Sequence, residues 1–226
     1  MVEHVKDIAF LEDTLNFWKK LNRAQKTFLQ QAIVKKQFAA GEAMHSTSDN
    51  CSGLFLIKKG QIRAFIISES GREITLYHLF ERDVCIFSAA CVMKNISFDV
   101  NIEVEKDTEA YLIPTAAFRK LSEESIPVQI FTNQIMASRF SDVMWIMEQA
   151  LFTSFDKRLA NFLLEQSNIQ DSETLAITHE KIANHLGTAR EVVTRMLKYF
   201  QTEGMVSLNR GTIEILDQNK LNRILG

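Results

Sequence analysis

Apolar residues in the first 36 positions recur at helical spacing. Phe17, Trp18, Leu21, Phe28, Leu29, Ala32 and Ile33 suit short amphipathic helices over 10–36. The pattern then changes. Residues 37–118 carry short runs rich in β-branched and aromatic residues, among them LFLIKKG, QIRAFII and EITLYHL. Turn signals at Ala40-Gly41, Ser52-Gly53, Lys59-Gly60 and Glu69-Ser70-Gly71 separate them. Strands this short, at this spacing, predict an antiparallel barrel or jelly-roll-like β-roll rather than alternating βαβ units.

A third texture begins near Ser122. After Pro127 the stretch VQIFTNQIMASRFSDVMWIMEQALF runs for 25 residues without Gly or Pro and predicts one long helix. Ile130, Ile135, Phe140, Val143, Met147 and Leu151 are assigned to one face, with Val128, Phe131, Met144 and Trp145 widening it. A helix apolar over so much of its circumference should be buried on more than one side. One side is expected to cover the roll and the other to pair with the same helix of a second subunit. Burial inside a single monomer is the alternative. Phe152-Thr153-Ser154 is the expected hinge, and FDKRLANFLLEQSN beyond it predicts a further helix on Phe155, Leu159, Phe162 and Leu163.

Two short helices follow. Thr178 is expected to cap HEKIANHL, which buries Ile182 and Leu186, with the small Ala183 admitting a crossing helix. Gly187 supplies the left-handed residue that ends it. Thr188 is expected to cap the next helix, TAREVVTRML, which buries Val192, Val193, Met196 and Leu197. Helices of this length around a short Gly-containing turn form a helix-turn-helix signature. VSLNRGTIEILD, with a turn at Asn209-Arg210-Gly211, predicts a β-hairpin wing. The expected fold is α+β: a β-roll over 1–125, a dimerisation helix and hinge over 126–152, and a winged helix-turn-helix over 153–226.

The second helix leaves Arg190, Glu191, Thr194, Arg195 and Lys198 on one exposed face. Arginine suits guanine O6 and N7, and glutamate accepts from cytosine N4. An ordinary solvated face is the competing reading, because Thr188-x-x-Glu191 is a capping box and Glu191 with Arg195 is an i,i+4 pair. Thr178, Thr188 and Arg210 flank this face as further candidate DNA contacts.

Composition narrows the classes. The chain has 226 residues, 46% hydrophobic and 24% charged, as a soluble globular protein does. It has no apolar run of about 18 residues to span a membrane. MVEHVKDIAF does not read as a signal peptide, and three cysteines do not make a disulfide framework, so the cytoplasm is the expected compartment. The net charge is −2, and residues 153–226 hold nine Lys/Arg against nine Asp/Glu. Attraction to a polyanion must therefore come from local placement of charge.

With these motifs in hand, the chain resembles the CRP/FNR family of bacterial transcription regulators. The resemblance rests on FAAGE at 38–42, LFLIKKGQIRAFII at 54–67, GREITLYHL at 71–79, the long helix, and THEKIANHLGTAREVVTRMLKYFQTEGMV at 178–206. It implies a cyclic-nucleotide-binding-like roll and a homodimer on a palindromic duplex. It also implies a TGTGA-like half-site read by Arg190, Glu191 and Arg195, effector-driven reorientation about the hinge, and RNA polymerase as a partner.

Cyclic-nucleotide members of that family carry a Gly-Glu pair and a phosphate-binding Arg. ERDVCIFSAACVMKNISFDVNIEV has no Gly-Glu, and Phe98 or Asp99 falls where the arginine should be. An unmatched cyclic phosphate would be costly to desolvate, so cAMP is not expected. Backbone around Ser88-Ala89-Ala90 is a candidate anion nest. Cys85 and Cys91 read either as small buried residues or as a redox pair. An iron-sulfur cluster needs four thiolates, and only Cys51, Cys85 and Cys91 exist. His78 is expected to be a satisfied roll histidine rather than a haem ligand. The sequence assigns no cofactor and no metal. The competing function is a ligand-binding module whose C-terminal domain contacts protein. An enzyme is excluded for want of a nucleophile-base pair, metal cluster or phosphate-gripping loop.

Overall fold

In the computed structural model, residues 7–45, 53–86 and 100–226 are described. The chain forms two compact units. The first holds residues up to Ile66 together with Leu76–Val143, and the second holds Ile67–Thr75 and Met144–Gly226.

In the first unit, helices α1 (Ile8–Thr14) and α2 (Arg23–Ala32) flank a short 3-10 turn at Trp18–Lys20. Asp7 caps α1 through Phe10 N–H, and Asn22 with Gln25 makes a reciprocal capping box on α2. Strands β1 (Val34–Phe38), β2 (Ala43–His45), β3 (Gly53–Ile67), β4 (Glu73–Leu79), β5 (Val84–Cys85) and β6 (Asn101–Pro114) build one sheet. Its order is β1-β6-β3-β4, with β2 on β6 and β5 on β3. The β6 pairings to β1, β2 and β3 are antiparallel.

Both faces of this sheet are covered, and strand alternation shows how. On β3, Leu54 and Leu56 join the core with Phe10, Leu11, Phe17, Trp18 and Leu29. Phe55 and Ile57, between them, point the other way, to Ile62, Leu79, Ile102 and Val104. The turn expected at Lys59-Gly60 is not a turn. Gly60 has φ +111 inside the continuous strand β3, where the register to β6 shifts. It marks a bulge that bends the strand, a role glycine fills as readily as a turn.

Helices α3 (Thr115–Glu124) and α4 (Ile126–Phe152) follow. Val128 and Phe131 of α4 are buried in the first core, Met136 packs against both cores, and Val143 packs against the second. Ile135 also packs inward. The assignment of Ile135 to one face with Ile130 and Phe140 is therefore corrected. A step of five residues turns a helix about 140° past a full turn, so Ile135 shares a stripe with neither.

In the second unit, α5 (Phe155–Gln170), β7 (Thr174–Leu175), α6 (His179–Leu186), α7 (Arg190–Thr202), β8 (Val206–Asn209), β9 (Thr212–Ile215) and α8 (Gln218–Leu225) surround their own core. Leu159, Phe162, Ile182, Val193, Leu197, Phe200 and Ile213 are at its centre. The wing is a three-stranded sheet, β7-β9-β8, rather than an isolated hairpin.

Candidate nucleic-acid interface

Helix α6 starts as the sequence predicts: Thr178 accepts a hydrogen bond from Lys181 N–H. It ends at Gly187, φ +65, whose N–H bonds to Ala183 O. Thr188 N–H donates to the same carbonyl. Thr188 thus belongs to the end of α6, and the expected cap on α7 is corrected. Ala189 occupies that position, with no side-chain bond to the helix, so the Thr188-x-x-Glu191 capping box does not form. Glu191 sits in the first turn, where a carboxylate suits the positive end of the helix dipole.

Helix α7 buries Val193, Leu197 and Phe200, while Val192 and Met196 are half-buried. Arg190, Glu191, Arg195 and Lys198 are exposed, and Thr194 is half-buried between them. Together these five residues line one open concavity. Among the described residues, none of the four charged groups makes a salt bridge, so the expected Glu191–Arg195 pair is absent. Thr194 is held: its Oγ1 lies 2.9 Å from His179 Nδ1. Sequence reasoning missed His179, because the contact joins two helices across 15 positions. Thr178 is exposed at the start of α6, and Arg210 is exposed at the tip of the wing between β8 and β9.

The α7 platform is anchored from behind. Arg158 on α5 donates from Nη1 to Leu186 O at 3.0 Å, placing a cation at the C-terminal end of α6. Its guanidinium also sits 5.5 Å from the Phe155 ring centroid.

In the first unit, Cys85 is paired with Phe55 across β5 and β3 and is fully buried. Tyr77 is buried in the same core, and burial, with the neighbouring Cys85, pushes its phenol well above the ordinary range. Arg139 of α4 lies over the Tyr77 ring at 4.5 Å and bonds Asp142 at 2.7 Å. His78 Nε2 is 3.4 Å from Glu105 Oε2. The other sensor candidates, Ser88, Ala89 and Cys91, together with Cys51, lie outside the described residues.

A helix pair locked by a glycine turn, flanked by a wing and presenting cations around a concavity, defines a helix-turn-helix DNA-binding regulator. Sequence comparison agrees. Residues 157–224 match the Crp-like helix-turn-helix domain and residues 35–125 the cyclic nucleotide-binding domain. Electron transport regulator A of Shewanella oneidensis is 30% identical over 203 residues, covering 85% of this chain and 78% of that protein. The cAMP-activated global transcriptional regulator Vfr of Pseudomonas aeruginosa is 26% identical over 191 residues, covering 80% of this chain and 88% of its own. A crystal structure of a crp/fnr family regulator from Eubacterium rectale superposes with a TM-score of 0.92 at 48% identity, covering 94% and 99% of the two chains. The chain belongs to the CRP/FNR family of transcription regulators. That family consists of regulators, not enzymes, and among the described residues no helix is long and apolar enough to cross a membrane.

Proposed function

We propose that the protein acts as a homodimer that reads a two-fold symmetric, TGTGA-like duplex through α7, under control of an input to the β-roll other than cAMP. What carries the DNA reading is the set of four charged side chains that α7 leaves without salt bridges around one concavity, among the described residues. Arg190 and Arg195 are suited to guanine edges and Glu191 to cytosine N4. Lys198, Thr178, Thr188 and Arg210 flank them as phosphate contacts that set position rather than sequence.

The dimer is supported by α4. Ile126, Ile130, Asn133, Ala137, Phe140, Met144, Met147 and Leu151 are all exposed, at alternating steps of four and three. That is the 3.5-residue period of a coiled-coil seam, and a second copy of the same helix is its natural complement. The polar Asn133 would fix register in a two-stranded pairing. A palindromic site follows from two-fold symmetry. For the input, the segment 81–104 has no Gly-Glu pair, and Phe98 or Asp99 falls where cyclic-nucleotide readers carry their phosphate arginine. A small molecule or a redox change at the roll is the reading that remains.

Selection from random duplexes tests the whole. A symmetric motif with TGTGA-like halves is expected. No motif, or an asymmetric one, defeats the assignment.

A further inference from the structure

The His179 ring stands at the margin of the α7 concavity, half-buried, with Nδ1 2.9 Å from Thr194 Oγ1. A threonine hydroxyl has one proton and two acceptor sites, while an imidazole nitrogen donates or accepts according to whether it carries a proton. The bond therefore decides what Thr194 has left to show. When Nδ1 is bare, the hydroxyl proton is committed to the ring and Oγ1 faces outward as an acceptor. When Nδ1 carries a proton, Oγ1 accepts from it and the hydroxyl proton is free to donate outward.

We propose that His179 is a positioning residue for DNA specificity: its proton on Nδ1 sets whether Thr194 offers a base edge a hydrogen-bond donor or an acceptor. The inference rests on α7 being the recognition helix. It concerns a residue that itself need not touch a base.

The surroundings weaken the ring's hold on its second proton. Partial burial, and then the charge of Arg190, lower its pKa from the ordinary 6.5. Of the other charged groups on α6 and α7, Glu180, Lys181, Glu191, Arg195 and Lys198 are exposed. In neutral solution the ring is uncharged and both tautomers are open, so Thr194 can serve either class of edge, as threonine does. Acid removes that freedom. A doubly protonated ring donates from both nitrogens, and Thr194 is left only as an outward donor. Nearby DNA phosphates would favour the charged ring and bring this transition back toward neutrality.

The test is selection from random duplexes with the full chain at pH about 8 and about 5.5, where histidine changes state. At one base pair per half-site, the wild type should shift about threefold to tenfold on acidification toward guanine or thymine, which present acceptors, and away from cytosine, a shift the size of one hydrogen bond. His179→Asn keeps a bonding partner without titrating, and Thr194→Val removes the hydroxyl without changing shape; both should lose the shift. Thr194→Ser should retain it. A wild-type preference identical at the two pH values, or a shift that persists in His179→Asn, overturns the proposal. Arg190→Ala separates the two failures. If it leaves the motif intact, the reading of α7 is wrong; if it erases preference at its own position while no pH shift occurs, only the assignment of His179 falls.

Discussion

Gly60 on β3 and Thr108 on β6 approach so closely that no other residue fits at 60. A Cβ there would stand 2.7 Å from Asp107 O and closer still to Thr108 Oγ1, and the backbone is at φ +111. Gly60→Ala should therefore destabilise the roll by roughly 2–4 kcal/mol, combining overpacking with backbone strain. Urea unfolding of the two proteins measures it. A difference below about 0.5 kcal/mol, the scale of ordinary surface changes, would mean the strand bends without cost.

On DNA, Arg190→Ala and Arg195→Ala should each weaken binding by about 1–3 kcal/mol and relax preference at one position per half-site. Lys198→Ala should weaken all sequences alike and reduce the slope of log affinity against log salt by about one. Fluorescence anisotropy titrations at several salt concentrations, on cognate and singly altered duplexes, distinguish the two patterns. Arginine variants with wild-type sequence preference would contradict the role given to α7.

On α4, Phe140→Glu puts a charge into the exposed seam and should move the protein toward monomer in sedimentation equilibrium. The loss of one large apolar contact per chain is about 1.5–3 kcal/mol each. Asn133→Leu should act in the opposite sense, raising association strength while admitting higher oligomers, because a polar seam residue specifies state at a cost in stability. An unchanged mass distribution in both variants would mean that the stripe is not an interface.

Acid should loosen the N-terminal helix. Asp7 Oδ2 lies 2.6 Å from Lys58 Nζ while its carboxylate also caps α1. The Lys58 bond, the largest contributor, lowers the Asp7 pKa from the ordinary 3.8. Its folded pKa is the depressed one, so the stabilisation is complete above 3.8 and is lost as pH falls through the lower folded value. The pair is about one-third exposed, and water screens it to at most about 1 kcal/mol. Asp7→Asn should keep the cap and lose only the ion pair, whereas Asp7→Ala should cost about 1 kcal/mol more. Hydrogen exchange of α1 amides against pH reads both. Equal effects of the two variants would remove the capping role.

Much of the fold was legible because its signals are local. The apolar spacing of α5 and α7, the unbroken length of α4, and the cap and glycine around α6 lie within a few residues of the structure they set. Three failures share a cause. Thr188 has the chemistry of a cap, but its N–H is taken by Ala183 O, a consequence of how α6 ends rather than of residue type. Gly60 signals a bend, but only the partner strand decides between bend and turn. Strand β7 has two residues and exists through its pairing to β9, so no pattern of its own announces it. At the candidate interface the exposed face of α7 could be read from periodicity. The His179–Thr194 bond could not, since it forms only once two helices cross.

Cys85, sealed in the core of the roll, carries a kinetic consequence. A thiol reagent cannot reach a side chain with no accessible surface until the strands around it part. In a chain carrying Cys51→Ser and Cys91→Ser, the labelling rate of Cys85 would act as a clock for that parting. Any ligand that tightens the roll would slow it, whatever its chemistry, and so could be found before it is named.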